Sequence, residues 1–185
     1  MNIKGKIVTL RAIEKTDLEL MREMLNDPDM EALVVGWAFP VSKYQQEKWY
    51  ENNINSQTNL RFIIETSDKE AIGLATLVDI DWKNRKATHG MKLAKTDKRH
   101  KGIGTDTVMA IMKYAFNELQ LNRLNGSWFE DNLPSKSMYM KCGWKEEGRL
   151  REYIYKNGKY KDLITTGILK SDYELLIKKN NYWEK

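Results

Sequence analysis

Residues 97–119 read DKRHKGIGTDTVMAIMKYAFNEL, a short basic loop with two glycines that runs directly into a helical pattern. Thr105, Asp106 and Thr107 belong to residue types that cap helices, and we expect them to do so in the first turn. Apolar residues then recur at the spacing of one helical face, which predicts a helix packed on a sheet: Val108, Ile111, Met112, Ala115 and Leu119.

Within the loop, Arg99, Gly102 and Gly104 form an R-x-x-G-x-G pattern. Glycine lets the backbone turn tightly and approach a ligand, and the N–H groups at a helix start attract phosphate oxygens. The loop is therefore a candidate anion site, and a solvated glycine turn is the alternative. A nucleotide-binding phosphate loop is disfavoured, because neither G-x-x-x-x-G-K-[ST] nor a full G-x-G-x-x-G is present.

The composition of the 185-residue chain indicates a single domain spanning 1–185, large enough to be stable without a metal or a disulfide. The net charge of +5 is spread along the sequence, so we expect no nucleic-acid partner, whereas a small polyanionic ligand would suit it. Cys142 is the single cysteine and cannot form an internal disulfide, and no apolar run is long enough for a signal or a membrane span. We therefore expect a cytoplasmic protein with no membrane partner.

Apolar periodicity and turn residues predict an α/β (α+β) fold in the order strand, helices, three strands, helix, strand, helix, hairpin. The helix after the basic loop connects two strands as a crossover, so these strands should be parallel, or locally splayed, within an otherwise antiparallel sheet. Asn157-Gly158 predicts the tight turn of the last hairpin. The predicted strands span residues 7–12, 60–65, 71–80, 87–94, 123–129, 150–156 and 160–169.

Three segments in this order resemble the GCN5-related N-acetyltransferase (GNAT) family, more narrowly the branch that acetylates ribosomal-protein N-termini and polyamines. They are the R-x-x-G-x-G loop, the pattern N-x-x-S-x-x-x-Y-x-K-x-G-W at 132–144, and the stretch GRLREYIYKNGKYKDLITTGILKSDY at 148–173. The resemblance implies the GNAT fold, a mixed, mostly antiparallel central sheet that is splayed between two parallel strands and flanked by helices. It also implies an acetyl-CoA-dependent N-acetyltransferase.

By this resemblance, acetyl-CoA is the cosubstrate. Its pantetheine amides are expected to pair, like a β-strand, with Met91, Lys92 and Leu93. Asn132 is expected to hydrogen-bond the cofactor from the loop ahead of the short helix. The pyrophosphate is expected on backbone N–H groups and basic side chains of the loop: Arg99, His100, Lys101, Gly102, Ile103, Gly104 and Thr105.

Tyr139 matches the position of the family's general acid, which protonates the departing thiolate; a tyrosine that merely packs on the sheet is the alternative. The sequence does not identify the base that deprotonates the acceptor ammonium. Relatives often place a glutamate on one of two central strands, where this sequence has Thr76 and Thr88. Asp79 and His89 are the candidate bases nearby, and a chain of water molecules is the alternative.

Cys142 invites a covalent route, but its expected place at a helix C-terminus disfavours a reactive thiolate, so direct transfer is preferred. The acceptor is a primary amine of a class that the sequence leaves open: a polyamine, an aminosugar, an amino acid or a peptide N-terminus. A nonenzymatic CoA-binding or interaction protein on the same fold is the alternative function. No metal is expected, because His89 and His100 have no convincing cluster of further metal ligands beside them. A homodimer that forms through the aromatic hairpin is also expected.

Overall fold

Eight strands form one sheet in the computed structural model of this chain, which describes residues 1–36, 39–94 and 102–184. Their order across the sheet is β1-β2-β3-β4-β5-β6-β8-β7, and all neighbours are antiparallel except β5 and β6. The strands are β1 (Ile3–Lys4), β2 (Val8–Arg11), β3 (Leu60–Thr66), β4 (Ala71–Asp81), β5 (Lys86–Leu93), β6 (Arg123–Phe129), β7 (Lys145–Lys156) and β8 (Lys159–Leu169).

Helices cover both faces of this sheet. They are α1 (Leu18–Asn26), α2 (Pro28–Glu31), α3 (Lys43–Asn53), α4 (Ile103–Lys113), α5 (Leu133–Lys141) and α6 (Lys170–Asn180). A 3-10 turn (Lys15–Asp17) precedes α1, and a π-helical turn (Tyr114–Glu118) extends α4. No helix within the described ranges is both long and apolar enough to cross a membrane.

The apolar core is divided into two layers by the sheet. Ile63 and Ile64 are neighbours on β3, yet Ile63 packs with α1 while Ile64 packs in the larger cluster that contains α4. Successive strand residues point to opposite faces, so these two clusters lie on opposite sides of the sheet. The larger cluster is the one that also contains Tyr139.

The expected apolar face is confirmed: Val108, Ile111 and Met112 of α4 and Ala115 of the π-helical turn are fully buried, and Leu119 is partly buried against the same core. The expected capping is wrong. Gly102 occupies the N-cap position, and the Asp106 side chain instead accepts hydrogen bonds from the backbone ahead of β2. Long-range contacts of this kind override local capping preference.

The terminal hairpin is confirmed, with φ of 51° at Asn157 and 81° at Gly158, the left-handed pair that a tight turn between strands requires. β7 begins at Lys145, five residues earlier than predicted at 150. The charged sequence KEEGR at 145–149 gives no strand pattern, so the prediction missed this part of β7. It lies at the sheet edge and is exposed on both faces, so it lacks alternating hydrophobicity.

Candidate active site

The two central strands separate soon after they begin. Parallel pairing between β5 and β6 stops at Thr88 and Asn125, although β5 continues to Leu93 and β6 continues to Phe129. On its other edge, β5 stays paired with β4 as far as Leu93. The expected splay is thus confirmed, and it leaves an open wedge between β5 and β6.

The backbone of β5 presents hydrogen-bonding groups to this wedge. The N–H of Ala94 bonds to the carbonyl of Ile72 on β4 at 2.9 Å. Successive peptide groups of a strand point to opposite edges, so the main-chain groups of Met91 and Leu93 face the wedge. Of the three predicted pantetheine partners, Lys92 has its carbonyl turned toward Gly73 of β4. The open edge fits an extended ligand with amide groups.

The start of α4 lies next to this wedge in the chain. Gly102 is the N-cap, with φ of 79°, and makes no side-chain cap hydrogen bond. The first N–H groups of any α-helix lack partners within the helix, so those of Ile103, Gly104 and Thr105 are suited to an anion. The predicted partners Arg99, His100 and Lys101 lie outside the described residues.

Gly104 allows α4 to approach its neighbours closely. A Cβ atom there would lie 2.6 Å from Sδ of Met138 on α5 and 3.8 Å from Cε of Met91 on β5. A contact of 2.6 Å is shorter than van der Waals packing permits, so a side chain would have to displace Met138. The helix start, the wedge and α5 therefore converge at this glycine.

Tyr139, on α5, packs against aromatic side chains carried by both diverging strands. Its ring centroid is 5.8 Å from that of His89 on β5, 5.8 Å from that of Trp128 on β6, and 5.0 Å from that of Trp144. The residue is 5% exposed, and burial raises the pKa of its hydroxyl, which therefore stays protonated at neutral pH. A protonated hydroxyl at this place can donate a proton.

His89 is buried beside Tyr139. Its Nδ1 lies 2.9 Å from the carbonyl oxygen of Thr76, and burial lowers the pKa of the imidazole from 6.5 to about 4. The neutral ring donates Nδ1–H to Thr76, which leaves Nε2 as an acceptor without a partner among the described residues. A pKa this low makes His89 a poor acceptor for an ammonium proton.

Asp79, the other candidate base, is placed differently. It is exposed at a bulge of β4, with φ of 51°, and its backbone N–H bonds to Asn59. Within the described part of the chain, no hydrogen bond or ion pair joins its side chain to His89 or Tyr139. The structure brings Tyr139 and His89 together and leaves Asp79 at the surface.

Asn132 and Cys142 lie at the two ends of α5. Oδ1 of Asn132 accepts the N–H of Ser135 at 3.2 Å and so caps the helix, while Nδ2 donates to the carbonyl of Leu33 at 3.4 Å. Its predicted bond to the cofactor therefore competes with a structural role. Cys142 is fully buried, and burial raises the pKa of its thiol to about 12, so a thiolate is scarce at neutral pH.

Sequence reasoning missed two groups near the site. Trp128 and Trp144 surround Tyr139, and the Trp that follows Gly143 in the quoted pattern was the available signal. The second group is an ion pair between buried Lys156 and Glu31. This pair borders a cavity of about 380 Å³ lined by Leu25, Asn26, Asp27, Pro28, Glu31, Phe39, Pro40, Tyr155, Lys156 and Asn157.

The Acetyltransferase (GNAT) domain family model matches residues 8–145. The SPbeta prophage-derived uncharacterized N-acetyltransferase YokL of Bacillus subtilis is 30% identical over 172 residues, covering 92% of this chain and 94% of YokL. The spermidine N(1)-acetyltransferase of Vibrio cholerae is 28% identical over 167 residues, covering 90% and 95%.

A crystal structure of spermidine N-acetyltransferase from Vibrio cholerae in complex with CoA and spermine superposes with a TM-score of 0.86. It is 27% identical in sequence and covers 92% of this chain and 99% of that chain. The fold, the wedge between β5 and β6, the start of α4 and the sequence similarity all indicate the same family. The chain belongs to the GNAT acetyltransferase family and is an N-acetyltransferase that uses acetyl-CoA as its acetyl donor.

Proposed function

We propose that residues 1–185 act as one catalytic domain in which Tyr139 is the general acid for direct acetyl transfer to a primary amine. The observation that carries this assignment is the position of the Tyr139 ring between His89 of β5 and Trp128 of β6, where the central strands diverge. Acetyl-CoA supplies an activated thioester, and the acid stabilises the thiolate that departs. The raised pKa keeps this hydroxyl protonated in the free enzyme but also weakens it as an acid, so the proton moves only as negative charge develops on the departing sulfur.

Acetyl-CoA is held, in this proposal, by two features. The wedge-facing backbone of Met91 and Leu93 receives the pantetheine amides, and Lys92 flanks them. The first turn of α4 receives the pyrophosphate through Gly102, Ile103, Gly104 and Thr105, with Arg99, His100 and Lys101 as further cationic partners. Asn132 adds a bond to the cofactor only if its amide leaves Leu33.

Direct transfer is favoured over a covalent acetyl-cysteine. Cys142 is fully buried with a raised thiol pKa, and its Sγ lies 3.9 Å from the carbonyl oxygen of Thr105. A nucleophilic cysteine needs the opposite environment. The acceptor amine therefore attacks the thioester itself.

Proton removal from the acceptor is assigned to water, with Asp79 as the protein alternative. In this proposal His89, which is buried and has a lowered pKa, is a neutral neighbour of Tyr139 and not the base. Asp79 is exposed on β4, and the described contacts do not direct it to Tyr139. An Asp79→Asn variant that retains its pH–rate profile supports the water route.

The acceptor is proposed to be a small primary amine, with polyamines as the first candidates and aminosugar-like amines or peptide N-termini as alternatives. The cavity of about 380 Å³ offers an ammonium group the carboxylate of Asp27 and the rings of Phe39 and Tyr155, while its other acid, Glu31, already pairs with Lys156. Burial and the nearby Lys156 lower the pKa of Lys92, which indicates that Lys156 stands near the end of β5. The relative from Vibrio cholerae acts on spermidine by name.

A thiol-release screen across polyamines, aminosugars, amino acids and peptide N-termini tests the acceptor. Polyamines should give the highest kcat/KM. A screen in which polyamines alone are inactive would overturn the polyamine assignment while leaving acetyl transfer intact.

The acid role has its own test. Tyr139→Phe should lower kcat by about 100-fold, the contribution typical of one general acid, while the Kd for CoA measured by calorimetry changes less than about twofold. The matched control is Tyr44→Phe, which alters an exposed tyrosine on α3 and should leave both constants unchanged. A Tyr139→Phe enzyme with wild-type kcat rules out this acid.

We also propose a cytoplasmic homodimer. The β7–β8 hairpin at the end of the sheet exposes Leu150, Tyr153, Tyr155 and Tyr160, and the ring centroids of Tyr155 and Tyr160 lie 5.1 Å apart. Cys142 is a free, buried thiol, which suits a reducing compartment.

A further inference from the structure

Asp106 lies in the first turn of α4, next to the proposed pyrophosphate site, and it is 2% exposed. Its carboxylate accepts backbone N–H groups from Lys6 at 2.9 Å, Ile7 at 2.8 Å and Val8 at 3.0 Å. Oδ1 also accepts the hydroxyl of Tyr182 at 2.9 Å. Two segments that are distant in sequence are therefore tied to the start of α4 by a single carboxylate.

The turn before β2 is shaped for this contact. A Cβ atom on Gly5 would lie 2.3 Å from Oδ2 of Asp106, so any side chain there would force the turn away. The segment that carries Tyr182 is held as well. Trp183 donates from Nε1 to the hydroxyl of Tyr173 at 2.8 Å, and Lys113 at the end of α4 lies over the Trp183 ring at 4.4 Å.

A carboxylate in this turn has two opposite electrostatic effects. Negative charge near a helix N-terminus stabilises the helix dipole, but it also repels an anionic ligand bound there. In this structure the Asp106 carboxylate faces the donors of Lys6, Ile7 and Val8, while Gly102 provides no side-chain acceptor for the first N–H groups. The local donors offset the charge, and the helix start stays attractive to phosphate oxygens.

We propose that Asp106 is a positioning residue for the cofactor pyrophosphate. It fixes the first turn of α4 against β2 and Tyr182, and thereby aims the N–H groups of Ile103, Gly104 and Thr105. This role rests on the proposed function, because it requires the pyrophosphate to bind at the start of α4. Asp106 itself touches neither the thioester nor the acceptor amine.

The test compares two acetyl donors, acetyl-CoA and S-acetylpantetheine, which carries the same thioester without the pyrophosphate. Asp106→Asn keeps the shape but turns one acceptor into a donor that faces backbone N–H groups. The ratio of kcat/KM for acetyl-CoA to that for S-acetylpantetheine should fall roughly tenfold, because the loss is confined to the phosphate end. Tyr182→Phe removes one of the four bonds and should move the ratio in the same direction by less.

Asp17→Asn is the matched control. Asp17 is also a buried carboxylate, and it accepts from Arg11 and from the backbone of Glu14, on the face of the sheet that carries α1. Its loss should lower the urea midpoint without changing the donor ratio. An equal loss with both donors in the Asp106→Asn and Tyr182→Phe enzymes would overturn the positioning role, since it would indicate general loosening.

The two proposals fail differently. A wild-type enzyme that uses both donors equally well would remove the pyrophosphate site at α4, and the role of Asp106 with it. A wild-type enzyme that prefers acetyl-CoA, together with variants whose donor ratio stays at the wild-type value, would remove the role of Asp106 alone. If Asp106→Asn does not fold, the donor ratio of the Tyr182→Phe enzyme tests the role of Asp106, because this change deletes only a hydroxyl at the edge of the hydrogen-bond network.

Discussion

At the level of single residues, the site combines a protonated tyrosine hydroxyl with a neutral histidine ring. Tyr139 and His89 are buried in the same apolar surroundings, and burial disfavours the charged form of each. The phenol therefore has a raised pKa and the imidazole a lowered one. Both side chains are neutral at neutral pH, which suits a site where an amine and a thioester react without a permanent charge between them.

The buried His89 should make stability depend on pH. Its folded pKa of about 4 lies below the ordinary 6.5, so the unfolded chain binds one more proton between these values. Stability should therefore fall by about 3 kcal/mol as pH drops from 6.5 to 4, following the size of that shift. Urea midpoints measured at pH 7, 5.5 and 4.5 give this slope. His89→Gln should flatten it, and a variant with an unchanged slope would refute the assignment to His89.

At the level of elements, the wedge follows from chain topology. The α4 crossover makes β5 and β6 parallel, their pairing ends at Thr88 and Asn125, and beyond that point Tyr139 of α5 packs against Trp128. Gly104 then lets α4 close over the same region. Strand, crossover helix and short helix each contribute one wall of the site.

The hairpin between β7 and β8 gives an element-scale prediction. Gly158 has φ of 81° with open space around it, so Gly158→Ala should cost about 1 kcal/mol from backbone strain alone. Gly36→Ala is the control, because φ of Gly36 lies outside the left-handed region and the nearest described atom, on Val34, would be 3.9 Å away. Urea unfolding measures both. Equal midpoints for the two variants would mean that the turn carries no such strain.

Local signals explain which elements the sequence could predict. Asn157-Gly158 predicted the hairpin, and the apolar spacing after Gly104 predicted α4. Both patterns depend only on residues within one or two turns of each other. Asp106 was misassigned as a cap, because its true partners at Lys6 to Val8 are about a hundred residues away. Tyr139 was found through a family pattern, but its aromatic neighbours depend on how β5, β6 and α5 meet, which no local pattern reports.

At the level of the whole molecule, the β7–β8 hairpin exposes apolar and aromatic side chains at one end of the sheet. If this hairpin joins two copies, Tyr160→Glu should shift sedimentation equilibrium at micromolar concentration from dimer toward monomer, since it places a charge in an apolar contact. Tyr44→Glu is the control: the two tyrosines are 60% and 67% exposed, but Tyr44 lies on α3. A wild-type protein that sediments as a monomer would remove the dimer.

The wedge between β5 and β6 has a consequence for how occupancy can be observed. A sheet normally protects its central amides from deuterium, yet Met91 and Leu93 face a gap within the sheet and depend on water or on a bound amide chain for their hydrogen bonds. The amide groups of a bound cofactor would pair with this open edge of β5 as a neighbouring strand would. Deuterium uptake at these two amides should therefore slow when CoA is added, while amides of β4 on the closed side exchange at the same rate with or without it.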